Sequence, residues 1–352
     1  MSSVSETTVR SEKKDLRVTR SRRNVAWTGV GALVIVAVFA YFPYICGSGT
    51  LALMVQGFIV LTLASMWNLL AGYAGLVSVG QQAFVGLGAY FVLLLNIHYV
   101  SMFTALPIAA IGCGVAAVPL WWLVSRLRSG YFAIATWVLA TTVMLIIEKF
   151  PSLGGGTGMS LPHTPNLSST ALLEADTYWI GLAVTVVALG TVYVLLRGRL
   201  GLTLTAIRDD EVAARSSGVR VGISRMLVFV IAGIGCGAAG ALLAVSQPFV
   251  QPGPVFSVQW TAVMAFAVVI GGIGTIEGPL LGTAVYMVLQ QELQSYNVWY
   301  LIVLGLVAMV VVLVARRGLW GLADDYLHVR LFPVGYWLWP GPEGSRGVAP
   351  PR

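Results

Sequence analysis

Between Trp67 and Tyr90 the chain reads WNLLAGYAGLVSVGQQAFVGLGAY. Its apolar residues suit a bilayer, yet Asn68, Gln81 and Gln82 carry amides that hydrocarbon does not solvate. Gly72, Gly75, Gly80, Gly86 and Gly88 recur through the same run, which closes on Tyr90. The chemistry open to such residues is hydrogen bonding at membrane depth. Backbone that leaves the helical path there survives only where protein buries it or water reaches it. Polar side chains there face a bundle interior or a pathway. Small residues also let helices pack closely, and any single glycine fits that reading equally well. The run as a whole, with its amides, predicts the lining of a polar route. A second such segment, Val269 to Tyr286, contains GGIGTIEGP with Gly271, Gly272 and Gly274. Paired interruptions in two halves of a membrane protein point to a solute site between them.

Other chemistry is hard to find. No GxxxxGK[ST] run is present to cradle a nucleotide, and no HExxH or Ser-His-Asp set stands out. Cys46, Cys113 and Cys236 show no metal-ligand spacing. His98, His163 and His328 are far apart. The sequence therefore predicts neither a metal site nor a cofactor. Glu148 and Glu277 are the acids nearest the apolar segments, and without a partner carboxylate they read as interfacial or capping groups rather than proton carriers.

The elements that must position these residues are apolar. The chain of 352 residues is 57% hydrophobic and 10% charged, against about 25% charged in soluble domains. This is the composition of an all-α polytopic membrane protein, with about ten spans by hydropathy. They are read as Trp27 to Ile45, Leu51 to Ala71, Gly80 to Tyr99, Phe103 to Val124, Tyr131 to Ile147, Tyr178 to Leu196, Met226 to Ser246, Gln259 to Ile273, Pro279 to Leu293 and Val298 to Ala315. The first span lacks a small-residue cleavage site and is read as retained. The net charge of +7 does not imply nucleic acid, because its distribution follows orientation. With the N-terminus cytoplasmic, every Lys and Arg except Lys149 falls on the cytoplasmic side. The loops Glu148 to Thr177 and Gln247 to Ser257 then lie outside.

Three regions follow. Residues 1–24 form a basic cytoplasmic arm, read as unstructured and close to anionic lipid headgroups. Residues 25–317 are the membrane domain. Residues 318–352 form a cytoplasmic or interfacial tail whose Trp320, Tyr336, Trp337 and Trp339 suit a membrane interface.

Within the membrane domain, residues 197–225 form the longest charged cytoplasmic loop. Its TAIRDDEVAARSSG, Thr205 to Gly218, predicts one short helix. Thr203 or Thr205 would cap its start, and Gly218 suits the left-handed position after its end. Leu204, Ile207, Ala214 and Val219 give it an apolar side. Arg208 and Glu211, three apart, would share a face, while Ala213 and Ala214 are small enough for close approach. Charge alone fits a solvated loop, but a short structured helix is what transmitting force to a soluble partner requires.

LLAGYAGLVSVGQQAFVGLGAY resembles the signature of the permease subunits of branched-chain amino acid ABC transporters, in particular of the M-type subunit. AIRDDEVAARSSGVRV is similar to that family's cytoplasmic coupling segment, and AVVIGGIGTIEGPLLG to its Gly-rich C-terminal motif. The motifs stand in the family's order and span about Leu51 to Arg317. The resemblance implies an importer of branched-chain amino acids or of a related urea, short amide or aromatic acid, in a bacterial inner membrane. It implies a second permease subunit, two ATP-binding subunits that hydrolyse the nucleotide, and an extracytoplasmic solute-binding protein. One departure concerns the coupling segment. Glu211 precedes Gly218 by seven residues where the general importer pattern has six, and no Ile-x-Leu-Pro follows. Residues 1–24 and 324–352 match no family motif. A self-contained secondary transporter or channel is the alternative. It should carry ionisable residues inside the membrane, and this core is nearly devoid of them.

Overall fold

The computed structural model describes residues 16–19, 22–127, 130–163, 170–293, 299–314, 318–327 and 337–340. Helices dominate. They are α1 (Arg22–Tyr41), α2 (Ser48–Asn68) continued by a π-turn (Leu69–Tyr73), α3 (Gln82–Ile97), α4 (Met102–Val124), α5 (Gly130–Glu148) and α6 (Thr170–Arg197). There follow α7 (Arg199–Asp209), α8 (Glu211–Ser216), α9 (Val221–Ser246), α10 (Pro252–Val255), α11 (Val258–Gly271), α12 (Glu277–Leu293), α13 (Trp299–Val314) and α14 (Gly318–Leu327). Three 3-10 turns, Phe42–Tyr44, Pro151–Leu153 and Gly155–Thr157, and four short strands are also present: β1 (Leu16–Thr19), β2 (Met159–Ser160), β3 (Phe249–Val250) and β4 (Trp337–Pro340).

Among the described residues, six helical stretches are long and apolar enough to cross a membrane. They are Ser48–Tyr73, Met102–Val124, Gly130–Glu148, Leu173–Arg197, Val221–Ser246 and Pro252–Gly271. The chain is thus an all-α polytopic membrane protein. The other expected spans fall on shorter apolar stretches, such as Leu33–Tyr44 and Gln82–Ile97. α3 has 16 residues, about 24 Å at 1.5 Å per residue, short of a hydrocarbon core of about 30 Å.

The hub is α9. Of its apolar window 78% is buried, against 22% for α5. Ala232, Cys236 and Ala239 are wholly enclosed. Small residues create this. A methyl group on Gly88 of α3 would run into the Gly237 carbonyl of α9, and one on Gly240 into the Val85 carbonyl. Backbone therefore lies on backbone, as small residues allow between helices in a membrane. α4 packs on α9 beside α3, where Gly233 meets both Ala117 of α4 and Phe84 of α3, and α2 and α6 also pack against α9. α5 stays peripheral and presents Ile134, Trp137 and Val138 outward, as a lipid-facing helix does. α1 hangs on α6 through Tyr178 Oη, which donates to the Phe39 carbonyl at 2.8 Å. α11 and α12 form a tight hairpin in which Gly282 lies on the Ala267 carbonyl and Gly271 on the Gly278 carbonyl. α14 docks on that hairpin, with Gly318 against Gly272.

Several expectations need correction. The third span was expected from Gly80 but its helix begins at Gln82, because Val79 and Gly80 are held against Thr136 of α5. The sixth helix begins at Thr170, so Glu174 and Asp176 belong to α6 rather than to a loop. The two expected external loops are joined by a short β-ladder. Met159 pairs with Val250 and Ser160 with Phe249, tying them together. The basic arm is not wholly unstructured, since Leu16–Thr19 pairs antiparallel with Trp337–Pro340, which holds Trp337 and Trp339 of the tail. The rest of the arm before Arg22, together with Tyr336 and residues 341–352, lies outside the described residues.

The α3–α9 contact yields a test. A methyl on Gly240 meets backbone, which cannot rotate away, so Gly240→Ala should cost about 1–3 kcal/mol. Thermal unfolding of the purified protein in detergent should show a lowered Tm. Gly190→Ala, at a glycine with open space around it, should leave Tm unchanged.

Candidate functional site: an interrupted helix joined to a charged helical pair

α2 does not end at a loop outside the bundle. Its last turns widen into the π-turn Leu69–Tyr73, a form that marks functional sites more often than chance. The chain then runs without helix to Gln82. Exposure alternates along this segment: Ala74, Leu76, Ser78 and Gly80 are buried, while Gly75 and Val77 are exposed. One side of this non-helical stretch is therefore covered, and the chain turns at its start, with Ala74 near φ −91°, ψ −5° and Gly75 at φ 66°. Gly80 is pressed against the Thr136 carbonyl of α5, and the Val79 N–H donates to Thr136 Oγ1 at 3.2 Å. Trp67 Nε1 donates to the Ser78 carbonyl at 3.0 Å. Protein groups thus satisfy backbone that has left the helical path.

The three amides are all enclosed. Asn68 is 1% exposed, Gln81 0% and Gln82 1%. Gln81 Nε2 donates to Ser78 Oγ at 3.3 Å, and the Gly80 N–H donates to the same oxygen at 3.3 Å. Gln81 Oε1 accepts from Cys236 Sγ at 3.5 Å. Cys236 stands about 22 Å along α9 from Val221, near its mid-length. Gln82 Oε1 accepts from Thr261 Oγ1 of α11. Tyr90, one helical face further, is 3% exposed. Its hydroxyl has no partner among the described residues, and its ring lies 6.1 Å from that of Phe256. Interhelical hydrogen bonds in a membrane average only about 0.6 kcal/mol each. Stability alone is a weak reason for three amides here.

Asn68 joins the two Gly-rich segments. Its Nδ2 donates to the Thr275 carbonyl at 2.7 Å, and its Oδ1 accepts from the Gly274 N–H at 2.8 Å. Gly72 sits beside this pair, and a Cβ there would lie 2.7 Å from the Gly274 nitrogen. Gly272 (φ 128°) and Gly274 (φ 78°) turn the chain between α11 and α12, which side chains would strain. Glu277 opens α12 and is 6% exposed. The Tyr73 phenol lies within the fields of both Glu277 and Arg208.

Arg208 comes from the charged loop. Its Nη1 donates to the Gly72 carbonyl at 2.8 Å. The loop itself differs from the expected single helix. Asp210 breaks it, with φ −155°, and caps the second piece by accepting from Val212 N at 2.8 Å and Ala213 N at 3.1 Å. Asp is a better N-cap than the expected threonines. Thr203 and Thr205 lie inside α7 and donate back to the Arg199 and Gly201 carbonyls. Arg208 and Glu211 consequently do not share a face. Glu211 pairs with Arg215 at 2.5 Å and Arg225 at 3.0 Å. Ile207 and Ala214 pack with Val221 and Val219, so the apolar side faces inward and Ala214 is buried. Ala213 and Val212 remain exposed. Gly218 has φ 83°, and the Val219 N–H returns to the Ala214 carbonyl at 3.1 Å, closing the helix as a left-handed glycine does.

Sequence reasoning missed the partners Ser78, Thr136, Thr261 and Thr275. A hydroxyl inside an apolar run is their only local signal. It also missed a cavity of about 680 Å³ at the end of the bundle away from α7 and α8, where Gln56, Glu174, Gln247 and Trp260 meet.

Comparison with known proteins bears on this arrangement. A family model described as branched-chain amino acid transport system / permease component matches residues 49–313. The Escherichia coli K12 high-affinity branched-chain amino acid transport system permease protein LivM is 29% identical over 325 residues, covering 85% of this chain and 76% of its own length. LivM of Salmonella typhimurium LT2 matches to the same extent. A ribose import permease, RbsC of Bacillus subtilis, is 28% identical over 152 residues, or 40% of this chain and 47% of its own. No solved structure matches significantly. The matched residues contain both interrupted segments and the charged helical pair, and the chain belongs to the family of permease components of branched-chain amino acid transport systems.

Proposed function

We propose that this chain is one transmembrane subunit of an ABC importer, moving branched-chain amino acids or a related small solute through a route beside the non-helical segment 74–81. In this reading separate subunits hydrolyse ATP. A second permease subunit completes the route, and an extracytoplasmic binding protein delivers the solute. The chain lies in a bacterial inner membrane with both termini cytoplasmic and about ten spans.

The observation that carries the reading is the non-helical segment. Gly75 and Val77 are exposed on one face of backbone that has left the helical path. Lipid cannot face such backbone, whereas a water-filled route or a partner subunit can. Apolar walls with the amides of Asn68, Gln81 and Gln82 suit a small solute without net charge. The partial match to a sugar permease supports a scaffold whose substrate is chosen elsewhere, by the binding protein. The cavity holding Gln56, Glu174 and Gln247 is suited to receive the solute. Pairing of β1 with β4 supports an even number of crossings, since two paired ends share one side.

The charged pair α7–α8 is the docking element for an ATP-binding subunit. Its apolar side is spent inside the protein, which leaves Val212, 74% exposed, and Ala213 for a groove in the partner. Helix-in-groove contacts are anchored in this way.

Reconstitution tests energetics. The lone subunit in liposomes should take up no substrate, and the assembly with ATPases should. Gradient-driven uptake by the lone chain would favour the secondary-transporter alternative instead. Docking has its own test. Gly218→Val forces a branched side chain to φ 83°, and Glu211→Lys puts a third cation beside Arg215 and Arg225. Membrane levels of both variants should stay near those of the wild type, while uptake and substrate-stimulated ATP hydrolysis fall together by about tenfold or more. Full uptake in both would remove α8 from the coupling role. The route is tested by Gln82→Cys with the native cysteines replaced by alanine. A small charged thiol reagent should modify it during ATP turnover and not at rest; equal rates in both states would place Gln82 off the route.

A further inference from the structure

The contact between Arg208 and Gly72 ties the charged helical pair to the broken end of α2, and its surroundings are built for it. The π-turn leaves carbonyls at a helix C-terminus, where the macrodipole is negative and a cation is favoured. Arg208 provides that cation from another element, donating to the Gly72 carbonyl at 2.8 Å. The space beside the guanidinium belongs to Gly274, where a Cβ would lie 2.7 Å from Nη1. Asn68, one turn back on α2, holds the other side of the same hinge through Gly274 and Thr275. Three chain segments, distant in sequence, therefore meet at one side chain. Ile207, the neighbour of Arg208, anchors α7 to α8 through Ala214 and Val221. A displacement of α8 is thus carried to Arg208 through packed groups.

We propose that Arg208 is the positioning residue that transmits movement of the α7–α8 pair to the interrupted helix at Gly72 and to the hinge at Gly274. The inference rests on the docking role proposed above for α8. Arg208 touches no solute; it acts through the backbone of the π-turn. Its guanidinium donates to Gly72 while the residue as a whole is exposed.

The test uses the assembled importer, purified with its ATP-binding subunits. Amide hydrogen exchange is followed in peptides covering 199–216 and 69–80, with and without a non-hydrolysable ATP analogue. In the wild type the analogue should change exchange in both peptides. In Arg208→Ala the change should persist in 199–216 and be lost from 69–80. Uptake should fall by about tenfold or more, within the range of coupling between linked sites, with membrane level, co-purification of the ATPases and basal hydrolysis retained. Arg208→Lys, which restores one charged donor, should recover part of the uptake. A nucleotide-dependent change in 69–80 that survives in Arg208→Ala overturns the proposal, as does full uptake by that variant. Loss of the ATPases on purification also overturns it, since Arg208 would then be a docking residue. Should Arg208→Ala fail to accumulate, Arg208→Gln, a neutral side chain too short to reach Gly72, carries the same test with the same outcomes. A wild type in which 199–216 itself ignores the analogue refutes the docking role, a result separable from failure of the link alone.

Discussion

Everything at the centre of this molecule follows from one constraint: a peptide group that leaves the helix inside a bilayer must find another partner. Between Leu69 and Gln82 the chain makes that departure, and the surrounding residues answer it. Trp67 reaches forward to the Ser78 carbonyl. Ser78 gathers Gly80 and Gln81. Thr136 of α5 takes the Val79 N–H. Asn68 goes outward instead, to the hinge between α11 and α12. A polar residue in such a place could be called a route or a staple. Here each amide is a staple in the state observed. Both roles are open to one side chain, because a hydrogen bond between protein groups exchanges for one to a solute at little net cost.

The glycines divide the same way. Gly88, Gly237 and Gly240 bring α3 and α9 into backbone contact and serve packing alone. Gly72 and Gly274 make room at the junction for Asn68 and the Arg208 guanidinium. Gly75 has open space around it and φ 66°, so it bends the chain and touches nothing. Composition treats these residues alike, and only the neighbour across the interface distinguishes them.

That explains how much could be read in advance. Hydropathy located α2, α4 and α5 to within a few residues, because it reports depth in the bilayer and each residue reports for itself. The interruption after Asn68 was legible for the same reason, since glycine and amide are wrong for a simple span. Gly218 was legible because the left-handed turn is a local property. What escaped was pairwise. Asn68 and Gly274 are 206 positions apart, and no spacing rule relates them. The centrality of α9 escaped as well, because a run such as GIGCGAAGALLAV looks no different buried than exposed to lipid. Asp210 was misjudged for a subtler reason. Three acids in a row, Asp209 to Glu211, read as a charged helical face, whereas the middle one breaks the helix and caps the next.

The fit of α3 on α9 also limits how the bundle can rearrange. With Gly88 on the Gly237 carbonyl and Gly240 on the Val85 carbonyl, each helix is notched into the other. Sliding one past the other by a turn, about 5.4 Å, would drive β-carbons into those carbonyls. Shear along this seam is closed, and the pair travels as one rigid body. The compliant places lie at its borders, in the non-helical strip before Gln82 and in the Gly272–Gly274 bend. Both act as pivots, the first held by Trp67 and Thr136 and the second by Asn68.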